Sequence, residues 1–193
     1  MDAFPATLEI DYPDRELNRL TTAFRMFTVI PIGVILGLVS GSGSGGVLCG
    51  AASLMLAFRQ KYPRWWFDWN LALIRFSMRV SAYTALLRDE YPSTDDEQAV
   101  HIAIRYPDAA RDLDRWKPLY KWFLAIPHYV VLACLAVAVC ACVVLAWFAI
   151  LFTGRYPRGL FDFVVGVFRW ALRVSAYAFL LTTDQYPPFS LSS

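Results

Sequence analysis

Charge is scarce in this sequence, and side chains suited to catalysis are scarcer. Asp, Glu, Lys and Arg make up 18% of its 193 residues, and the formal charge is +2. With no Lys/Arg block either, nucleic acid is not an expected partner. Histidine occurs twice, as His101 and His128, in separate segments with no acidic spacing that suggests a metal centre or a triad. There is no P-loop, no G-x-G-x-x-G after a strand and no G-x-S-x-G; the Gly/Ser run at 41–46 lies inside an apolar stretch and lacks a following lysine. The four cysteines, Cys49, Cys134, Cys140 and Cys142, form no C-x-x-C pair and read as free thiols used as small apolar residues. The first residues carry no basic segment ahead of an apolar core, so no cleavable signal is expected and the first apolar run would act as an anchor. The expectation is a protein with no catalytic, metal-binding or cofactor-binding residues.

What is present is apolar surface. Hydrophobic residues make up 58%, aromatics 16%, and the mean hydropathy is +0.42, outside the range of ordinary soluble domains. The chain also repeats itself. Tyr62–Pro63–Arg64 recurs as Tyr156–Pro157–Arg158, 94 positions on; at that spacing Arg75 and Arg79 recur as Arg169 and Arg173, and Ser81–Ala82–Tyr83 as Ser175–Ala176–Tyr177. The expected fold is mainly α and integral to the membrane, built from internally duplicated helical repeats. Residues 1–92 form repeat one, which is the more diverged, 93–99 an acidic linker and 100–193 repeat two.

Each repeat is expected to open on a short β-strand, since Leu8, Ile10 and Tyr12 alternate with polar residues, as do the residues of 100–106. The two strands could pair with each other as a small polar cap. Polar helical segments are expected at 14–20 and 108–116. A long apolar run follows in each repeat, Phe24–Phe58 and Leu119–Thr153. A single tilted span and a tight hairpin are both open for these runs. The Gly/Ser residues at 40–46 favour a break in repeat one, and the uninterrupted second run favours one long helix. The basic, aromatic turns Tyr62, Pro63, Arg64 and Tyr156, Pro157, Arg158 read as membrane-interface turns, with anionic-headgroup recognition as the functional alternative. His128 reads as an interface or capping residue.

The signature helices that follow carry a charged stripe. Asp68, Arg75, Arg79 and Asp162, Arg169, Arg173 each fall within about 40° on a helical wheel, with Tyr83 and Tyr177 close by. Three readings stay open: a helix in the interface with its stripe to water, a spanning helix whose stripe is buried against the other repeat, or an anion or lipid site. In the second, Asp68 would lie near Arg169 or Arg173, and Asp162 near Arg75 or Arg79. Identical repeats want identical surroundings, so a four-span topology follows, with the turns and the strands on opposite sides of a cell membrane.

The pattern Ala125–Ile126–Pro127–His128, then Ala146–Trp147–Phe148 through Arg158, Phe161–Asp162–Phe163, Arg169–Trp170, Arg173–Val174, Ala176–Tyr177 and Tyr186 through Leu191, resembles the bacterial membrane-protein family named domain of unknown function 4389. The resemblance covers 100–191 closely, and residues 8–92 look like a diverged copy. It implies no activity for any residue. The expected function is a non-enzymatic integral membrane accessory or scaffold protein that packs against another membrane protein or itself, with membrane lipids as further partners. The alternative is a lipid-handling or small transport protein using the Asp/Arg helices.

Overall fold

The computed structural model describes residues 4–40, 44–94, 98–109 and 111–192, and of 44–48 only the backbone. It is mostly helical: β1 (Ala6–Ile10), α1 (Arg19–Ala23), α2 (Arg25–Ser40), α3 (Ser44–Arg59), α4 (Arg64–Thr84), β2 (Val100–Ile104), a 3-10 turn (Lys117–Leu119), α5 (Lys121–Leu124), α6 (Ile126–Thr153) and α7 (Arg158–Ala178).

The expected strands form and pair. β1 and β2 run antiparallel with Leu8 opposite Ile102 and Glu9 opposite His101. Their alternation puts Ala6, Leu8, Ile10, Val100, Ile102 and Ile104 on one buried face, leaving Thr7, Glu9, His101 and Ala103 exposed. The buried face lies on the signature helices, with α7 beneath β1 and α4 beneath β2. Beyond them come the apolar helices, α6 against α7 and α2 against α4. The order is therefore sheet, signature helices, apolar helices.

Polar helical segments are expected at 14–20 and 108–116, but among the described residues no helix forms there apart from the start of α1. Several of their backbone amides are committed elsewhere: Leu17 N donates to Gly154 O, Asn18 N to Asp89 and Asp114 N to Asp184. Asn18 then caps α1 by accepting from the amides of Leu20 and Thr21.

The second apolar run is one helix. At 28 residues α6 is about 42 Å long, more than the roughly 30 Å of a hydrocarbon core. Pro127 sits at its second position, where the missing amide costs no bond. Gly154 ends it in the left-handed region at φ 74°, donating its amide to Ile150 O. The first run carries α2 and α3; residues 41–43 of the Gly/Ser stretch, where the break is expected, lie outside the described residues. The two pieces have the same kinds of neighbour as the two ends of α6. α2 lies on α4 as α6 lies on α7, and α3 meets the Lys117–Leu119 turn as α6 meets α1. α3 also ends on a left-handed residue, Gln60 at φ 48°, whose amide bonds Leu56 O.

Among the described residues, α6 alone is long and apolar enough to cross a membrane by length and composition. The signature helices α4 and α7, which the four-span topology takes as spans, do not meet that test, because arginines and aspartates interrupt them. The expected separation of turns from strands is also overturned. The Tyr12 hydroxyl, just past β1, donates to Tyr156 O, and the Tyr106 hydroxyl, just past β2, donates to Tyr62 O at 2.7 Å. Hydrogen-bonded neighbours cannot stand on opposite sides of a bilayer.

Candidate functional site

The charged stripes do not hold ion pairs between aspartate and arginine. Asp68 and Asp162 are exposed and have no salt bridge among the described residues. The arginines instead reach backbone carbonyls of the strands themselves and of segments outside the sheet. Arg169 Nε donates to Leu8 O at 3.1 Å, and Arg75 approaches Ile102 O at 3.4 Å. Each stripe thus serves the strand lying on its own helix, and for both Arg75 and Arg169 that strand belongs to the other half of the chain. Arg79 donates to Ser93 O at 2.7 Å, and Arg173, buried at 4% exposure, donates to Ser190 O. In both Arg79 and Arg173 the Nε is buried without a hydrogen-bond partner. A carbonyl is a sound partner for a half-buried guanidinium, since five donors in a fixed fork need acceptors and not necessarily a charge.

The turns differ from expectation in their aromatics. Tyr62 and Tyr156 are core residues, 6% and 1% exposed, because each ring packs against neighbouring aromatics. Tyr62 meets Tyr106 at 5.9 Å, and Tyr156 meets Phe161 at 5.8 Å. Burial pushes both phenols up from their ordinary range. Tyr62 donates to Leu180 O, whereas the Tyr156 hydroxyl is buried with no partner. The turn arginines stay exposed and lie over rings from the opposite half: Arg64 over Tyr106 at 5.6 Å and Arg158 over Tyr12 at 4.7 Å. Pro63 and Pro157 serve as the extended N-cap residues of α4 and α7.

Two buried cations escaped the sequence reading. Arg25, 2% exposed, forms an ion pair with Asp89, donates to Arg88 O at 2.9 Å and lies 4.0 Å over the Tyr83 ring. Lys121, with none of its surface exposed, lies 2.7 Å from Asp184, donates to Thr183 O at 2.7 Å and sits 5.3 Å over Tyr177. Each carboxylate also accepts a backbone amide at 2.7 Å, Asp89 from Asn18 and Asp184 from Asp114. Burial draws the Lys121 ammonium below its ordinary range, against the opposing pull of Asp184. Both cations sit in short polar interruptions of aromatic sequence and look like the basic flanks of an apolar run. The available signal was the pairing of Asp89 and Asp184 in matching Asp-x-Tyr-Pro segments.

Beside each cation or its helix lies an apolar groove. One, about 480 Å³, is lined by Met26 and Val29 of α2, Val143 and Trp147 of α6, and Arg25. The other, about 440 Å³, is lined by Cys49, Ser53 and Leu54 of α3 with Pro118, Trp122 and Phe179. Cys49, Gly50, Ser53 and Leu54 stand 94 positions before Val143, Val144, Trp147 and Phe148, so matching positions line both. His128 is fully buried, not an interface residue. Its Nδ1 accepts from Trp170 Nε1 at 3.1 Å, and its ring stacks 4.0 Å from Phe189.

No group of three or more His, Cys, Asp or Glu suited to a metal ion occurs among the described residues. No curated protein and no solved structure matches the chain. The comparison that does find a likeness is with a family model: residues 115–190, comprising α5 to α7 and most of the tail, match the family described as "Domain of unknown function (DUF4389)", in one copy.

Proposed function

We propose that this protein is a non-enzymatic accessory or scaffold protein of the membrane, made of two copies of one unit, that holds another membrane protein or a second copy of itself. The observation that supports this most is the outward face of α6. Val130, Val131, Val137, Val144, Leu145 and Phe148 are all exposed, with no charged residue anywhere between Ile126 and Thr153. Met26, Phe27, Ile30 and Leu38 extend the same character along α2. A face of that length has no stable exposure to water and belongs against lipid or protein. The two-copy reading is supported by the recurrence of contacts as well as letters: the buried cation with its carboxylate, the tyrosine hydroxyl on the opposite turn, and the arginine on the strand carbonyl.

The two matching grooves favour a second reading, lipid handling, in which each takes an acyl chain. Purification of tagged protein from its own membranes in mild detergent, with proteins and lipids identified together by mass spectrometry, separates the two. A stoichiometric protein partner, or a stable homo-oligomer, is expected. A lone protein carrying a fixed complement of lipid overturns the scaffold reading in favour of the grooves.

A further inference from the structure

This inference rests on the reading that the apolar helices face lipid. We infer that the protein is seated in one leaflet of an anionic bilayer, with α6 and the α2–α3 pair lying along the membrane plane and the β-sheet forming a roof in water.

The layer order carries the argument. α6 and α7 lie side by side and antiparallel, joined by the turn at 154–157, with His128 near the start of α6 bonded to Trp170 in the second half of α7. The opposite side of α7 is covered along its length. Tyr12 packs edge-on to Phe161 at 5.0 Å, Leu8 O bonds Arg169, and Ser190 O bonds Arg173. Between these, Gly166 lets the tail approach so closely that a Cβ there would stand 3.0 Å from Leu191. A bilayer crossed by α6 is therefore crossed by α7 too, and the sheet and tail lie at mid-depth. Exposed Glu9 and His101 and the open edge of each strand in this two-stranded sheet are then in hydrocarbon. A charged side chain, or a backbone group of those edges left without a partner, is strongly disfavoured there. Laid flat, the same molecule meets lipid with the outward face of α6 and meets water with the sheet.

The rim suits that seating. Arg59, Lys61, Arg64, Arg155 and Arg158 are exposed at the two turns, giving positive charge to meet anionic headgroups. Trp65, Trp69 and Trp122, 62%, 54% and 58% exposed, supply the aromatic belt of a headgroup zone. Because both halves have equivalent surroundings in this pose, both turns lie on the same side.

Sidedness of labelling tests it. In protein whose four cysteines are replaced by Ala, single cysteines are placed at exposed positions by Glu9→Cys, Arg115→Cys and Arg155→Cys. Each is challenged with a membrane-impermeant maleimide in sealed right-side-out and inside-out vesicles of native membrane. All three label from the same side if the pose is right; Arg115 and Arg155, near opposite ends of α6, labelling from opposite sides overturns it. Depth gives an independent reading in phosphatidylethanolamine–phosphatidylglycerol vesicles. Nitroxides at Val131→Cys and Leu145→Cys stand about 21 Å apart along α6. Equal depths support the pose, and depths differing by most of that separation overturn it. Release of the unmodified protein by alkaline carbonate overturns the lipid-facing reading itself, an outcome distinct from opposite-side labelling.

Discussion

Lys121 and Asp184 form a charge pair in which the lysine is wholly out of solvent, 2.7 Å from the carboxylate. It anchors the segment after α7 to the helical turn before α6. Removing one charge strands the other. Asp184→Asn is expected to destabilise the protein by about 3–5 kcal/mol. The double replacement Lys121→Met with Asp184→Leu, which strands no charge, is expected to cost less than Asp184→Asn alone. Unfolding in detergent, followed by circular dichroism, compares them.

Gln60 and Gly154 end α3 and α6 in the same left-handed conformation, but only one is glycine. A side chain in that region costs about 1–2 kcal/mol. Gln60→Gly is expected to stabilise by about 1 kcal/mol, and Gly154→Ala to destabilise by a similar amount as its Cβ approaches the Glu16 side chain at 3.3 Å. Equal effects of one sign count against a shared backbone constraint.

Gly166 is a different case, limited by space. Its added Cβ meets both the side chain and the backbone oxygen of Leu191 at 3.0 Å, and backbone yields poorly. Gly166→Ala is expected to cost about 1–3 kcal/mol and to lift the tail from α7. Hydrogen exchange of residues 186–192 should rise while that of β1 stays the same.

The stripes should behave asymmetrically. Arg169→Met removes the donor to Leu8 O and should cost about 1–3 kcal/mol. Asp68→Asn and Asp162→Asn, at exposed positions without ion pairs, should leave the unfolding midpoint where it is. A large loss in either asparagine variant restores an electrostatic role to the aspartates.

Tyr156 gives a pH signature. Burial raises its phenol and that of Tyr62 above the ordinary value of 10.0. Below pH 10 both folded and unfolded chains keep these protons. Above it the unfolded chain loses them first, so stability falls as pH rises from about 10 toward the raised folded values. Tyr156→Phe should flatten this alkaline limb. At neutral pH it should stabilise slightly, because the hydroxyl it removes has no partner, whereas Tyr62→Phe should cost about 1 kcal/mol.

The repeat spacing made much of the architecture legible. Pattern and composition indicated the two pairing strands and the unbroken α6; the interruption expected at 40–46 falls on residues that include 41–43, outside the described residues. Two kinds of relationship were hidden. Backbone carbonyls are what Arg169 and Arg75 bind, and a carbonyl leaves no mark in a sequence, so in one of the three open readings the aspartates of the opposite repeat, Asp68 for Arg169 and Asp162 for Arg75, stood as the partners. Depth was hidden too. Tyrosine beside arginine is common at a headgroup surface and also in a core capped by a cation over its ring, and only packing tells Tyr156 from a surface residue. Arg25 and Lys121 were missed for that same reason: a basic residue bordering an apolar run gives no sign that the chain will fold back over it.

The pairing of β1 with β2 also bears on how the chain is made. β1 is made well before its ladder partner, which begins at Val100, and before the helix on which it lies, which begins at Arg158. Tyr12 likewise waits for Tyr156. During synthesis the first half therefore carries an unpaired strand and an uncovered α4, and neither can be closed by residues of that half. The newborn first half has to be sheltered, by lipid or by a chaperone, until β2 and α7 have been made.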